Sequence, residues 1–158
     1  MASTDASSES TSEGQGGQGV DMALEVVTLP VSDVDRAKRF YQSLGWRLDI
    51  DLAVGDAVRS IQFTPPHSPC SIHFGKGLTA VEPGSVDRLI LTVTDIDAAR
   101  ADLISRGVEV SEVYENRPPG FDSPGRSYFA LASFKDPDGN GWLLQEVTTR
   151  LPGREWED

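Results

Sequence analysis

At 158 residues the chain suits one domain, or two small halves that share a core. Its 25 acidic and 14 basic residues leave a formal charge of −11, which argues against nucleic acid and anionic membrane as partners, since both require a basic face. A single cysteine, Cys70, rules out an intrachain disulfide, and no apolar run approaches the roughly 18 residues of a membrane span. The N-terminus has neither the basic nor the apolar region of a secretory signal, so the expected location is a reducing cytoplasm.

Residues 1–21 are Ser, Thr, Gly, Gln and acidic residues with almost nothing apolar, and they read as a disordered tail. Leu24 to Leu29 is a β-branched run expected to form a buried strand, with Pro30 at its end. Ser32 or Asp33 then caps a helix whose apolar stripe is Ala37, Phe40, Tyr41 and Leu44, and Gly45 stops it. Trp46 to Leu52 alternates as a strand, placing Trp46, Leu48, Ile50 and Leu52 on one face. Gly55-Asp56 turns the chain and Ala57 to Phe63 returns it. A rigid loop, Pro65-Pro66-His67-Ser68-Pro69, leads to a further strand, Cys70 to Phe74.

A linker over 76–86 precedes a second series: strand Arg88 to Val93, a helix opened by Asp95 or Asp97 and stopped by Gly107, and strand Val108 to Val113. Residues 115–127 are rich in Pro, Gly and charge and read as a lid or a surface excursion. Tyr128 to Phe134 and Trp142 to Val147 are the last strands, joined by the turn Asp136-Pro137-Asp138-Gly139-Asn140-Gly141. From 151 to 158 the chain is a polar tail ending near Trp156, an aromatic that either docks or stays free.

The two series are one unit used twice. Val31-Ser32-Asp33-Val34-Asp35 reappears as Val93-Thr94-Asp95-Ile96-Asp97, and Asp33 to Asp95 and Gly45 to Gly107 are both 62 residues apart. A shared offset at both ends marks an internal repeat. The chain is therefore predicted to be α+β, a single domain over 22–150 made of two βαβββ modules, 22–77 and 86–150.

The doubled unit, the Val-x-Asp-x-Asp helix entries, Phe40-Tyr41 before Leu44-Gly45, and Asp136-Pro137-Asp138-Gly139-Asn140 before the last strand resemble the vicinal oxygen chelate superfamily. That superfamily includes glyoxalase I, extradiol dioxygenases, and bleomycin- and fosfomycin-resistance proteins. The resemblance implies paired curved mixed sheets around a cavity. It also implies four side chains that bind a divalent ion with open coordination positions. Carried onto this sequence, those positions are Val26, Arg88, Leu143 and a residue near His73. Valine and leucine have no donor atom, and guanidinium stays protonated. A one-residue slip would bring Glu25 or Asp87 to the first strands, and a shift of the last strand would bring Gln145 or Glu146.

The expected function is that of a glyoxalase- or bleomycin-resistance-like protein that binds a small molecule between its modules, with no metal cofactor. Val26, Thr28, Arg88, Ile90, Leu143 and Gln145 share the phase of the ligand positions; His73, Trp46, Phe63 and Phe74 are their expected neighbours. Arg88 needs an internal carboxylate or an anionic group on the ligand as partner. The alternative is a metal-dependent lyase, isomerase or dioxygenase with a rearranged site drawing on His73, Glu146 or Glu25. A folded interaction module with no small ligand is the third reading. Cys70 reads as an inert small residue, and a homodimer is the expected assembly.

Overall fold

The computed structural model describes residues 19–155, so most of the expected N-terminal tail, and Trp156, lie outside the described residues. The first module runs β1 (Val26–Thr28), α1 (Val34–Ser43), β2 (Arg47–Val54), β3 (Val58–Thr64) and β4 (Ser71–Lys76). The second runs β5 (Leu89–Val93), α2 (Ile96–Ser105), β6 (Tyr114–Glu115), β7 (Ala130–Lys135) and β8 (Gly141–Glu146). Each builds a four-stranded mixed sheet, in the orders β1-β4-β3-β2 and β5-β8-β7-β6, with the first strand parallel to the last. The fold is the expected α+β pair of modules.

The repeated aspartates set the helix starts. Asp33 accepts the Arg36 N–H and Asp95 the Ala98 N–H, both at 3.0 Å. Each satisfies a backbone donor that the first turn leaves open, and each places negative charge at the positive end of the helix. Past the helix ends, Gly45 and Gly107 adopt φ of +83° and +90°, backbone that favours glycine.

Three boundaries differ from expectation. β1 has three residues where six were expected, and Leu24 is exposed, because β4 pairs only with residues 26–28. Val108 to Val113 forms no regular ladder. Ser111 alone bonds across to Ser133, and the paired strand is Tyr114–Glu115. Tyr128, expected to begin a strand, instead has a φ of +70°, and β7 begins at Ala130.

The helix-facing sides of both sheets meet in one core. Tyr41 of α1 lies at its centre, its ring 5.4 Å from Trp46, 5.5 Å from Phe74, 6.2 Å from Phe63 and 6.1 Å from Trp142. Burying each such aromatic contributes about 2–3 kcal/mol. A polar chain crosses the same core. Tyr41 donates to Asp136 at 2.8 Å, Trp142 Nε1 donates to the Tyr41 hydroxyl at 3.0 Å, and Asn140 Nδ2 bridges Asp136 and the Pro30 carbonyl. Burial and the neighbouring Asp136 carboxylate push the Tyr41 hydroxyl far up, so it stays a proton donor. No helix among the described residues is long and apolar enough to cross a membrane.

Candidate functional site

With the helices covering one side of each sheet, the other side is where a ligand can be met. Cross-strand partners share a face, so the registers define it. In the first sheet Thr28 lies beside His73, His73 beside Gln62 and Gln62 beside Ile50, with Leu52 beside Ser60 and Val54 beside Val58. Ile61, Phe63, Ile72 and Phe74, the alternate residues, are buried against the helices. The outer face thus carries a polar band, Thr28, His73, Ser71, Gln62 and Thr64, next to exposed Ile50, Leu52 and Val54.

An irregularity in β2 adds a charge to this band. The register shifts between Leu48 and Ile50, leaving Asp49 as an extra residue on that strand. Such a bulge re-aims a side chain that strict alternation would send elsewhere. Asp49 consequently shares the outer face: it accepts from the Thr64 hydroxyl and from Gln62 Nε2 at 3.5 Å, and Thr64 shares a hydrogen bond with Ser71 at 2.6 Å. Arg47 bonds Asp49 at 2.5 Å, and this hydrogen bond, with that from Thr64, holds the carboxyl below the usual carboxylate range. A second short contact, 2.5 Å, joins Thr28 Oγ1 to His73 Nε2.

On the second sheet the outer face carries Ile90 and Thr92 of β5, Leu143 and Gln145 of β8, and Leu131 and Ser133 of β7. Leu143 and Leu131 are buried, whereas Ile90 and Thr92 are exposed. Gln145 Nε2 donates to the Tyr128 carbonyl at 3.0 Å. The 115–127 segment returns toward the start of β7. Phe121 meets Phe129 edge-on at 5.5 Å, and the Arg117 guanidinium lies 4.3 Å from the centre of the Phe129 ring.

The structure therefore gathers Val26, Thr28 and His73 on one outer face and Leu143 and Gln145 on the other. Trp46 and Phe63 are not with them. Both are buried on the helix-facing side against Tyr41, because the β2 bulge breaks the alternation that put Trp46 in phase with Ile50, and Phe63 follows Ile61 into the core. Arg88 is exposed at a φ of +65°, not buried against an internal carboxylate. Asp49, Gln62, Thr64 and Ser71 share the candidate face without having been singled out in the sequence, and no sequence signal marked the bulge.

A divalent ion is the group that the fold implies, and these residues do not fit it. Val26, Arg88 and Leu143, the residues at three of the positions that the family resemblance implies for ligands, offer no usable donor. Glu146 faces α2, where it accepts the Ile96 N–H at 3.1 Å, and Glu25 is exposed ahead of β1. Among the described residues no three His, Cys, Asp or Glu side chains are gathered so as to hold a metal ion.

The comparisons with known proteins agree with the architecture. The profile of the Glyoxalase/Bleomycin resistance protein/Dioxygenase superfamily matches residues 23–144. This chain belongs to that superfamily. Among solved structures it resembles TnmS3, an antibiotic binding protein from Streptomyces sp. CB03234, at 30% identity and a TM-score of 0.66, covering 82% of this chain and 99% of that one. It also resembles a glyoxalase/bleomycin resistance protein from the same organism, at 31% identity and a TM-score of 0.61, covering 78% and 99% of the two chains. A superfamily member from Sphaerobacter thermophilus DSM 20745 matches at 28% identity and a TM-score of 0.61, covering 80% and 98%. No curated protein matches the chain.

Proposed function

We propose that this superfamily member is a small-molecule binding protein that holds an antibiotic-like compound against the outer face of its first sheet, and that it does so without a metal centre. The observation that carries this reading is the polar band on that face, to which the β2 bulge adds the Asp49 carboxylate. Asp49, Gln62, Thr64, Ser71, His73 and Thr28 offer a carboxylate, an amide, hydroxyls and an imidazole beside an exposed apolar strip, Ile50-Leu52-Val54. A few fixed polar groups on apolar ground suit binding with orientation. The antibiotic-binding neighbour supports the choice of ligand class. Sequestration needs no bond-breaking machinery, and the residues at the metal-ligand positions supply none.

In a single chain that face is open on one side. A second copy supplies the missing wall, so the working unit in this reading is a homodimer, and its partner is a small molecule rather than nucleic acid or membrane. The test is a thermal-shift screen of the full chain against an antibiotic and metabolite panel. A hit that stabilises the wild type but not Asp49→Asn or His73→Ala supports the reading. A panel that leaves the melting temperature unmoved, or hits indifferent to both substitutions, sinks it.

A further inference from the structure

Among the described residues, three that are not glycine hold a positive φ: His67 at +64°, Arg88 at +65° and Tyr128 at +70°. That backbone costs any residue with a side chain free energy that glycine escapes. Two of the three are accounted for by their surroundings. His67 is the third residue of a turn closed by the Ser68 N–H on the Pro65 carbonyl, with Pro66 before it; a type II turn requires positive φ there. Tyr128 donates its N–H to the Glu146 carbonyl, and its hydroxyl accepts the Leu151 N–H, so it is held at both ends. Arg88 has no such hold. Its N–H donates to the Asp87 carboxylate at 2.9 Å, a bond that glycine would make as well. Arg88 is exposed, and among the described residues its guanidinium has no ion pair and no hydrogen bond, in a chain with 25 acidic residues. Backbone strain that packing does not explain points to a function for the side chain.

The side chain stands beside apolar ground. Arg88 lies two residues, about 7 Å of strand, ahead of Ile90 at the entry to β5. Ile90 is half exposed and pairs across with Leu143. From Ile90 a cleft of about 1270 Å³ follows β5, walled by Leu91, Val93, Pro65 and Pro69, which is room for a drug-sized molecule. Arg154 also lines it. Of the two acids on the lining, Asp95 is spent on the Ala98 N–H, and Glu155 is the other. The cleft is therefore an apolar trough with one arginine in its wall and another, Arg88, just past its Ile90 end.

We infer that this cleft binds a molecule with an apolar body and an anionic oxygen group, a carboxylate or a sulfonate, and that Arg88 takes the anionic group. A guanidinium is a planar fork of N–H donors that matches two oxygens of such a group, and it keeps its charge at any working pH. Glycine at this position would relieve the backbone and lose the fork. The apolar walls hold the body of the ligand, and the arginine fixes which end of it faces the entry to β5. The site belongs to the second sheet and stands independently of the first-sheet site proposed above.

The experiment titrates the full chain with two apolar dyes, the anionic anilinonaphthalene sulfonate and the uncharged Nile red, and follows their fluorescence. Wild type, Arg88→Gly, Arg88→Lys and His73→Ala are compared, with a melting curve for each. In support, Arg88→Gly melts no lower than wild type, binds the anionic dye at least about tenfold more weakly and binds Nile red as before. Arg88→Lys, which keeps the charge without the fork, falls between. His73→Ala, on the other sheet, binds the anionic dye like wild type. An Arg88→Gly protein with wild-type affinity for the anionic dye overturns the inference, as does one that melts lower, since the arginine then serves the fold. Equal weakening of both dyes, weakening by His73→Ala, or a wild type that leaves the anionic dye unbound also overturns it. The first-sheet reading is decided separately, by the antibiotic panel.

Discussion

Tyr41 in α1 and Asp136 in the turn before β8 are 95 residues apart and share a buried hydrogen bond of 2.8 Å. The bond ties the first module to the second at the centre of the core. Tyr41→Phe removes the donor to Asp136 and leaves Trp142 Nε1 without its acceptor. A buried polar group stripped of its partner costs about 1–3 kcal/mol. The expected result is a lower denaturation midpoint with an unchanged denaturant slope; an unchanged midpoint would remove this bond from the fold's determinants.

Gly84 offers a sharper test of the same junction. A Cβ at this position would lie 2.1 Å from the Asp138 carbonyl oxygen, and the residue's φ of +81° strains any L side chain. Gly84→Ala should cost at least about 2 kcal/mol, as backbone clashes and unfavourable φ values do. Calorimetry of the variant beside wild type measures it, with Gly55→Ala as the comparison. That residue also has positive φ but nothing within 4 Å of its Cβ, so its penalty should be smaller.

Acid should loosen the outer side of α1. Hydrogen bonds from Arg59 and Lys38 hold the Asp51 carboxyl at about 2, below its ordinary 3.8. A carboxylate with a depressed folded value contributes stability that is complete above the ordinary value and drains as pH falls toward about 2. Asp51→Asn should therefore be less stable than wild type at neutral pH, by under about 1 kcal/mol as for an exposed pair. The two proteins should converge as pH falls through that window. Parallel stability curves down to the lowest pH would contradict the assignment.

Metal analysis addresses the ligand positions directly. Protein purified without added metal should hold far less than one equivalent of nickel, zinc, manganese or iron. Titration with each should give no tight stoichiometric site. One tight equivalent, lost in His73→Ala, would establish a metal site built from other residues and return the enzymatic reading.

Much of the fold was legible because the sequence repeats its own punctuation. Of the two caps the sequence offered for each helix, the structure uses Asp33 and Asp95, and Gly45 and Gly107 stop the helices as expected. The candidate site was legible only in part. Thr28 came from the phase of its strand and His73 from the family resemblance, and the two share the candidate face, but Trp46 was put on the wrong side of the sheet. A bulge adds one residue to one strand, and the residues at 48–50 look like ordinary alternation. Phe63 went astray because an aromatic fits either side of a sheet, and only the helix decides which side is the core.

The central hydrogen bond has a consequence for the relation between the two halves. One repeat length on from Tyr41 stands Leu103; past the helices the offset between the modules lengthens, as β4 (Ser71–Lys76) and β8 (Gly141–Glu146) show, and Pro66 holds the place of Asp136 in the turn before β4. The donor belongs to the first module alone and the acceptor to the second. Two first modules brought together would face two hydroxyls with no carboxylate; two second modules would bury a carboxylate against leucine. The halves are alike in outline, and this buried pair makes them complementary, so that neither can stand in for the other.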